Sequence, residues 1–181
     1  MKDSNPNHSE IIIVRSLTGS DLGLFKAHRS GIQSKQRAIN INAQIAPRLL
    51  SADIYKNKSR TQFQCDIIFG DFRESSSRPI GKVGKNWRLG GNKIDDKSFG
   101  TLDSKDFALL RTIEMNDGTY PITILFISKI SQKKVHTKIG RLVEHTIKSS
   151  MAIYLEGSAG FSELADMFLD KAPKRRRSKN K

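Results

Sequence analysis

Between Ile80 and Asn92 the chain reads IGKVGKNWRLGGN, a stretch whose residue types suit chemistry on a polyanion. Lys82, Lys85 and Arg88 carry positive charge, and Trp87, the only tryptophan, offers one large flat anchor. Gly81, Gly84, Asn86, Gly90 and Gly91 loosen the backbone or favour loops, so that it can bend close to a partner. Extending the stretch to Arg78 and Lys93 adds two cations and no acid. It reads as a basic, glycine-hinged hairpin or loop that lies against nucleic acid. The plainer reading is a solvated surface hairpin whose Trp caps the core, since a run of charge is usually a solvated face.

Two further segments share this character. Residues 22–40 carry Lys26, Arg29, Lys35 and Arg37 with no acid, a charge of +4. Residues 171–181 carry +7, and residues 78–93 carry +5. The three hold +16 of a net +14, so everything else carries −2. A protein basic merely for solubility would spread its charge. Acid-free basic segments on a near-neutral body form an electrostatic footprint for phosphates. An acidic membrane surface is the rival partner, but no segment is a basic amphipathic helix with a wide apolar face.

Catalytic groups are sparse. Cys65 is the only cysteine, so there is no internal disulfide and no cysteine zinc cage; it lies in an apolar run and reads as core. His8 falls in the polar N-terminus and His28 in a basic loop, while His136 and His145 are nine residues apart on one helical stretch. No pair has metal-ligand spacing, and no phosphate-binding glycine loop is present. His136-Thr137-Lys138 begins an HxKxxxxD phosphodiesterase motif, but the required Asp position is Val143, so the match is broken. A metal-dependent nuclease needs an Asp followed by a D/E-x-K pair, whose carboxylates hold Mg²⁺ near a Lys. Asp66 or Asp71 could open such a set, and Asp103-Ser104-Lys105 is its nearest continuation, although it sits in a polar connection.

The elements that must position these residues are mostly short strands. Glu10–Ser16 is a β-branched run and reads as a buried strand. Thr18-Gly19-Ser20-Asp21 reads as a turn leading into a basic loop. Ile39 and Ile41 alternate with Ala38, Asn40 and Asn42, which is strand spacing. Gln44–Leu50 reads as a short helix with Pro47 in its first turn. Thr61–Phe69 is a strand, and Gly70–Ser77 a turn with a serine run. Phe107–Ile113 and Tyr120–Ile130 are apolar runs joined by Asn116-Asp117-Gly118, a hairpin signal. From Lys134 to Tyr154 the period becomes helical, with Val135, Ile139, Leu142, Val143, Ile147 and Met151 on one face, so a long amphipathic helix is expected. Gly157–Gly160 ends it, and Ser162 is positioned to cap a second helix with Glu163 in its first turn. Strands first and helices last point to a small barrel or α+β domain.

The 181 residues suit one domain with a tail and are enough to bury a core. No run reaches the roughly 18 apolar residues of a membrane span. The opening MKDSNPNHSE lacks the apolar stretch of a secretion signal, so a cytoplasmic location is expected.

From Ile11 to about Ser128 the chain resembles the DNA-recognition (effector) domains of EcoRII-type restriction endonucleases, a fold shared with the plant B-three transcription-factor domains. The pieces that carry the resemblance are Ser20-Asp21-Leu22, Gln36-Arg37-Ala38-Ile39-Asn40, Trp87-Arg88-Leu89-Gly90-Gly91 and Asp106-Phe107-Ala108-Leu109-Leu110. The resemblance implies a mainly β (α+β) fold: a seven-stranded open DNA-binding pseudobarrel with flanking helices, clamping duplex DNA in the major groove with two arms. The first arm matches residues 22–40 and would include Lys26, His28, Arg29, Gln33, Lys35 and Arg37. The second matches residues 74–93 and would include Arg78, Lys82, Lys85, Asn86, Arg88 and Lys93. Two of the three segments singled out by charge are therefore the two arms. Arg and Lys pair with guanine O6 and N7, and Asn or Gln with adenine N6 and N7; the remaining cations would set register on phosphates. Trp87 reads as an anchor at the root of its arm, because duplex DNA hides its base faces.

The resemblance stops short in two places. The restriction enzymes carry a separate nuclease domain, for which this chain has no room, and the segment after Lys129 lies outside the match. The expected layout is a disordered N-terminus over 1–9, the pseudobarrel over 10–130, helices packing on it over 131–170 and a disordered basic tail over 171–181. The expected function is sequence-specific double-stranded DNA binding in a restriction or phage-defence setting, without a cofactor. A separate nuclease or other defence subunit is a natural partner. The alternatives are a small Mg²⁺-dependent DNA endonuclease and an RNA-binding basic protein, the latter disfavoured by few aromatics for stacking.

Overall fold

A computed structural model describes residues 11–22, 38–50, 56, 62–69, 75–89, 102–112, 122–147 and 150–169. It contains β1 (Ile11–Ser16), β2 (Ile39–Ile41), α1 (Ala46–Leu49), β3 (Gln62–Phe69), β4 (Ser75–Val83), β5 (Asn86–Leu89), β6 (Phe107–Thr112), β7 (Ile122–Ile127), α2 (Lys133–Val143), β8 (Met151–Leu155) and α3 (Phe161–Leu169).

The strands form one eight-stranded sheet in the order β2-β5-β4-β3-β7-β6-β1-β8. Every neighbouring pair is antiparallel except β3 and β7, which run parallel over Ile67–Phe69 and Ile122–Ile124. The protein is mainly β and the sheet is open, with β2 and β8 at its edges. Strands β1 to β7 lie within the region expected to form the pseudobarrel.

Side-chain alternation explains how the sheet curls. Ile11 and Ile13 of β1, Ile39 and Ile41 of β2, Trp87 and Leu89 of β5, and Ala108 and Leu110 of β6 all enter one buried cluster. Strands at opposite ends of the order therefore share an interior, which requires the twisted sheet to wrap on itself. Ala46 and Leu49 of α1 enter the same cluster, with Pro47 tolerated in the first turn. The other face of β1, β6 and β7 carries Ile12, Val14, Phe107, Leu109, Leu125 and Ile127, which pack with Ile139 and Val143 of α2 and Leu164 and Phe168 of α3. Strand β1 is thus covered on both faces, which accounts for its unbroken IIIV run. Strands β2 and β5 are covered on one face only and alternate accordingly.

Several local expectations change. Helix α2 ends at Val143, and residues 151–155 form β8 rather than a last helical turn. Its residues satisfy the free edge of β1, with Ile13 opposite Ile153 and Arg15 opposite Met151. That distant edge offers MAIYL a full ladder of backbone hydrogen bonds, which outweighs a helical period of side chains. Ser150, at φ 65°, turns the chain into the strand. Met151 consequently joins the interior cluster, not the one beneath the helices. Ser162 lies inside α3, which begins at Phe161, so it is not the cap, while Glu163 does occupy the first turn. The serine run belongs to β4, since that strand already begins at Ser75.

Candidate nucleic-acid interface

The basic stretch is a β-hairpin. β4 and β5 pair with Ile80 opposite Leu89, Gly81 opposite Arg88, Lys82 opposite Trp87 and Val83 opposite Asn86, leaving Gly84-Lys85 as a two-residue turn. Gly84 has φ +60°, and Lys85 is not among the residues of positive φ. One left-handed residue at the first central position makes a type II′ turn, whose twist suits a hairpin. A Cβ at Gly84 would meet no atom within 4 Å, so a substitution there is penalised by its backbone angle alone. Gly84→Ala is expected to cost about 1–2 kcal/mol of stability, read as a lower denaturant midpoint. No change in midpoint would show that the turn relaxes freely to another type.

The hairpin's two faces differ. Trp87 and Leu89 point into the core, whereas Asn86 and Arg88 point outward and are exposed. Lys82, Val83 and Lys85 are exposed as well. Trp87 is 1% exposed, tilts against Phe63 at 6.0 Å between ring centroids, and carries the Lys82 ammonium 6.0 Å from its own ring centroid. Its burial makes it the anchor of the hairpin and denies it a stacking role. Beside it, Arg88 faces Asn40 of β2 on one flank and the bare backbone of Gly81 on the other.

Strand β2 links this hairpin to the root of the other basic segment. Asp21, fully buried, takes Arg15 in a bidentate pair, with Nε 3.1 Å from each carboxylate oxygen and Nη2 2.9 Å from Oδ2. Its Oδ2 also accepts from the Thr18 amide at 2.9 Å and the Thr18 hydroxyl at 2.7 Å. Its Oδ1 accepts from the Asn40 amide at 3.1 Å and the Asn40 side-chain amide at 3.0 Å. The Ala38 amide then donates to the Asp21 carbonyl at 3.1 Å. Asp21 on one side of segment 23–37 and Ala38 and Asn40 on the other are thereby held together. In the sequence Arg15 goes unmarked and Asn40 has no assigned partner, although a cation near the end of a doubly buried apolar strand needs a buried partner.

The proposed first-arm residues Lys26, His28, Arg29, Gln33, Lys35 and Arg37, and Lys93 of the second arm, lie outside the described residues. Arg78 lies in β4, in register with Cys65 of β3.

The catalytic candidates do not assemble among the described residues. His136 turns inward, with Nε2 3.2 Å from the Lys105 carbonyl and 3.4 Å from Asp106 Oδ1, and its ring 4.8 Å from that of Phe107. Lys138 points away to Glu163 at 2.9 Å, so the HxK pair is split between two environments. Asp103-Ser104-Lys105 forms a tight turn before β6, in which the Ser104 amide donates to Asp103 Oδ1 at 2.7 Å. Asp66 lies in β3 opposite Ser77, and Asp71 is outside the described residues. No group of three His, Cys, Asp or Glu suited to a metal ion occurs among the described residues. No described helix is long and apolar enough to cross a membrane.

These features define a mainly β protein with a curled open sheet and a basic hairpin at one side. No family model matches the chain. No curated protein matches it. Among solved structures it is similar to the N-terminal domain of Helicobacter pylori LlaJI.R1, at 14% identity and a TM-score of 0.42, over 80% of this chain and 97% of that one.

Proposed function

We propose that the protein is a sequence-specific double-stranded DNA-binding protein that uses the β4–β5 hairpin and the 22–40 segment as two arms in the major groove, in a restriction or phage-defence setting. The hairpin carries this reading. A two-stranded ribbon fits a major groove about 12 Å wide, and its outward face presents Asn86 and Arg88, with Lys85 exposed in the turn and Lys82 exposed along the Trp87 side. Arg88 has the side-chain chemistry to pair with guanine and Asn86 with adenine, while the lysines would hold phosphates. The hydrogen-bonded root at Asp21 supports the pairing of arms, because Ile39–Ile41, which follow segment 23–37, pair directly with β5. The defence setting rests on the sequence resemblance to restriction effector domains. A separate nuclease or other defence subunit would then supply the cleavage.

A single-strand RNA binder would present aromatic platforms. The exposed large apolar residues among those described are Val83, Ile130, Ile153 and Leu155, none of them aromatic. Selection from random duplexes, repeated on methylated DNA and at two salt concentrations, tests the reading, and an enriched motif is the expected result. A steep salt slope with no motif would reduce the protein to a phosphate binder. Preference for single-stranded RNA in competition would favour the RNA reading. Plasmid cleavage with Mg²⁺ that is lost on Asp66→Asn or Asp71→Asn would favour the nuclease.

A further inference from the structure

The charge map of the sequence leaves a fourth basic patch unmarked, because it is assembled on a helix. Residues 129–145 carry Lys129, Lys133, Lys134, Lys138 and Arg141 against the single acid Glu144. The buried face of α2 is taken by Ile139 and Val143. Lys134, Lys138 and Arg141, at i, i+4 and i+7, form one exposed stripe on the helix, spaced by about 6 Å and then about 4.5 Å along its axis. They line an open groove of about 290 Å³ with Thr137, Leu142 and Glu163.

Helix electrostatics account for only part of the placement. Cations favour a C-terminus and disfavour an N-terminus; Arg141 in the last turn fits that rule, yet Lys133 and Lys134 open α2, no acid occupies its first turn and Gln132 makes no side-chain cap. Nor does the groove suit a protein partner, whose contact would centre on apolar or aromatic anchors; its one apolar lining residue is Leu142. Repeated cations along a straight element suit repeated phosphates.

We infer that the α2 stripe of Lys134, Lys138 and Arg141 is a second nucleic-acid contact, taking the phosphate backbone of a duplex outside the groove held by the arms. It packs on the β7-β6-β1-β8 half of the sheet, whereas the basic hairpin belongs to the other half. Glu163, 2.9 Å from Lys138, offsets part of its charge and tempers its affinity. The inference shares with the proposed function a duplex partner but not the arms or base reading.

The test uses the full chain and duplexes of random sequence across a range of salt. Lys134→Ala/Lys138→Ala/Arg141→Ala is expected to lower the slope of log affinity against log salt by about 2–3, at about 0.9 per phosphate contact, and to weaken binding by at least about tenfold. Any sequence preference should survive. Glu163→Gln, which a folding defect cannot mimic, is expected to tighten binding several-fold. A triple variant with the wild-type slope, together with an unchanged Glu163→Gln affinity, would overturn the inference while leaving the arms intact. So would loss of binding to poly-glutamate without loss of binding to duplex, which marks an acidic protein surface as the partner. Wild-type protein that binds duplex without an enriched motif, through a slope that the triple variant lowers, would uphold the stripe and remove the sequence-specific reading. Failure of the wild type to bind any duplex at low salt would remove both.

Discussion

Arg88→Glu is expected to weaken binding to a selected duplex by roughly a hundredfold or more while leaving the unfolding midpoint where it was. A bidentate contact to guanine contributes about 1–3 kcal/mol of discrimination, with about 1.4 kcal/mol per tenfold in affinity. Reversal adds repulsion from neighbouring phosphates. The fold should tolerate the change, because Arg88 points outward from β5 and is exposed; exposed substitutions usually stay within about 0.5 kcal/mol. Anisotropy titration of a labelled duplex, beside a denaturant melt of the same variant, separates the two effects. Lys35→Glu is the matching test of the other arm and should behave alike. If either variant holds the selected site as tightly as wild type, the two-arm model is wrong. If Arg88→Glu loses affinity equally for every sequence, Arg88 holds a phosphate and reads no base.

Asp21→Asn should produce a large loss of stability, about 3–5 kcal/mol. The substitution keeps the shape but removes the charge that balances Arg15, which is 6% exposed. Removing one member of a buried ion pair costs about that much, because the other is left uncompensated. Replacing both, as Arg15→Met/Asp21→Leu, should recover part of the loss, since the stranded charge disappears with its partner. It should not recover DNA affinity, because Thr18 and Asn40 would still lack the carboxylate that ties the two ends of segment 23–37 together. Urea melts of the three variants and one binding titration of the double variant read this out. A loss below about 1 kcal/mol for Asp21→Asn would mean that the root is held by packing, and that the carboxylate only decorates it.

Much of the fold was legible because its pattern is local. Alternation of Ile39 and Ile41 around Asn40 put the polar side chain outward, and Trp87 and Leu89 did the same for Asn86 and Arg88. The unbroken apolar run of β1 anticipated a strand covered on both faces. The basic stretch was legible as a hairpin or loop, and the strand register settles on the hairpin, with Gly84 supplying the left-handed backbone that its two-residue turn needs.

What tertiary structure alone decided was pairing at a distance. Residues 151–155 carry the last turn of a helical period, yet they complete the edge of β1, some 140 positions away; only the fold creates that edge. His136 and Lys138 look like a pair in the sequence but face Asp106 and Glu163, because α2 lays one side against the sheet and the other to solvent. Asp21 reads as a turn residue and proves to be the knot between β1 and β2. By itself the sequence determined which residues carry charge and which strands could hold them. Which of those charges stand together depends on strand order and sheet curl, which arise from burying two clusters at once and are written in no single stretch of chain.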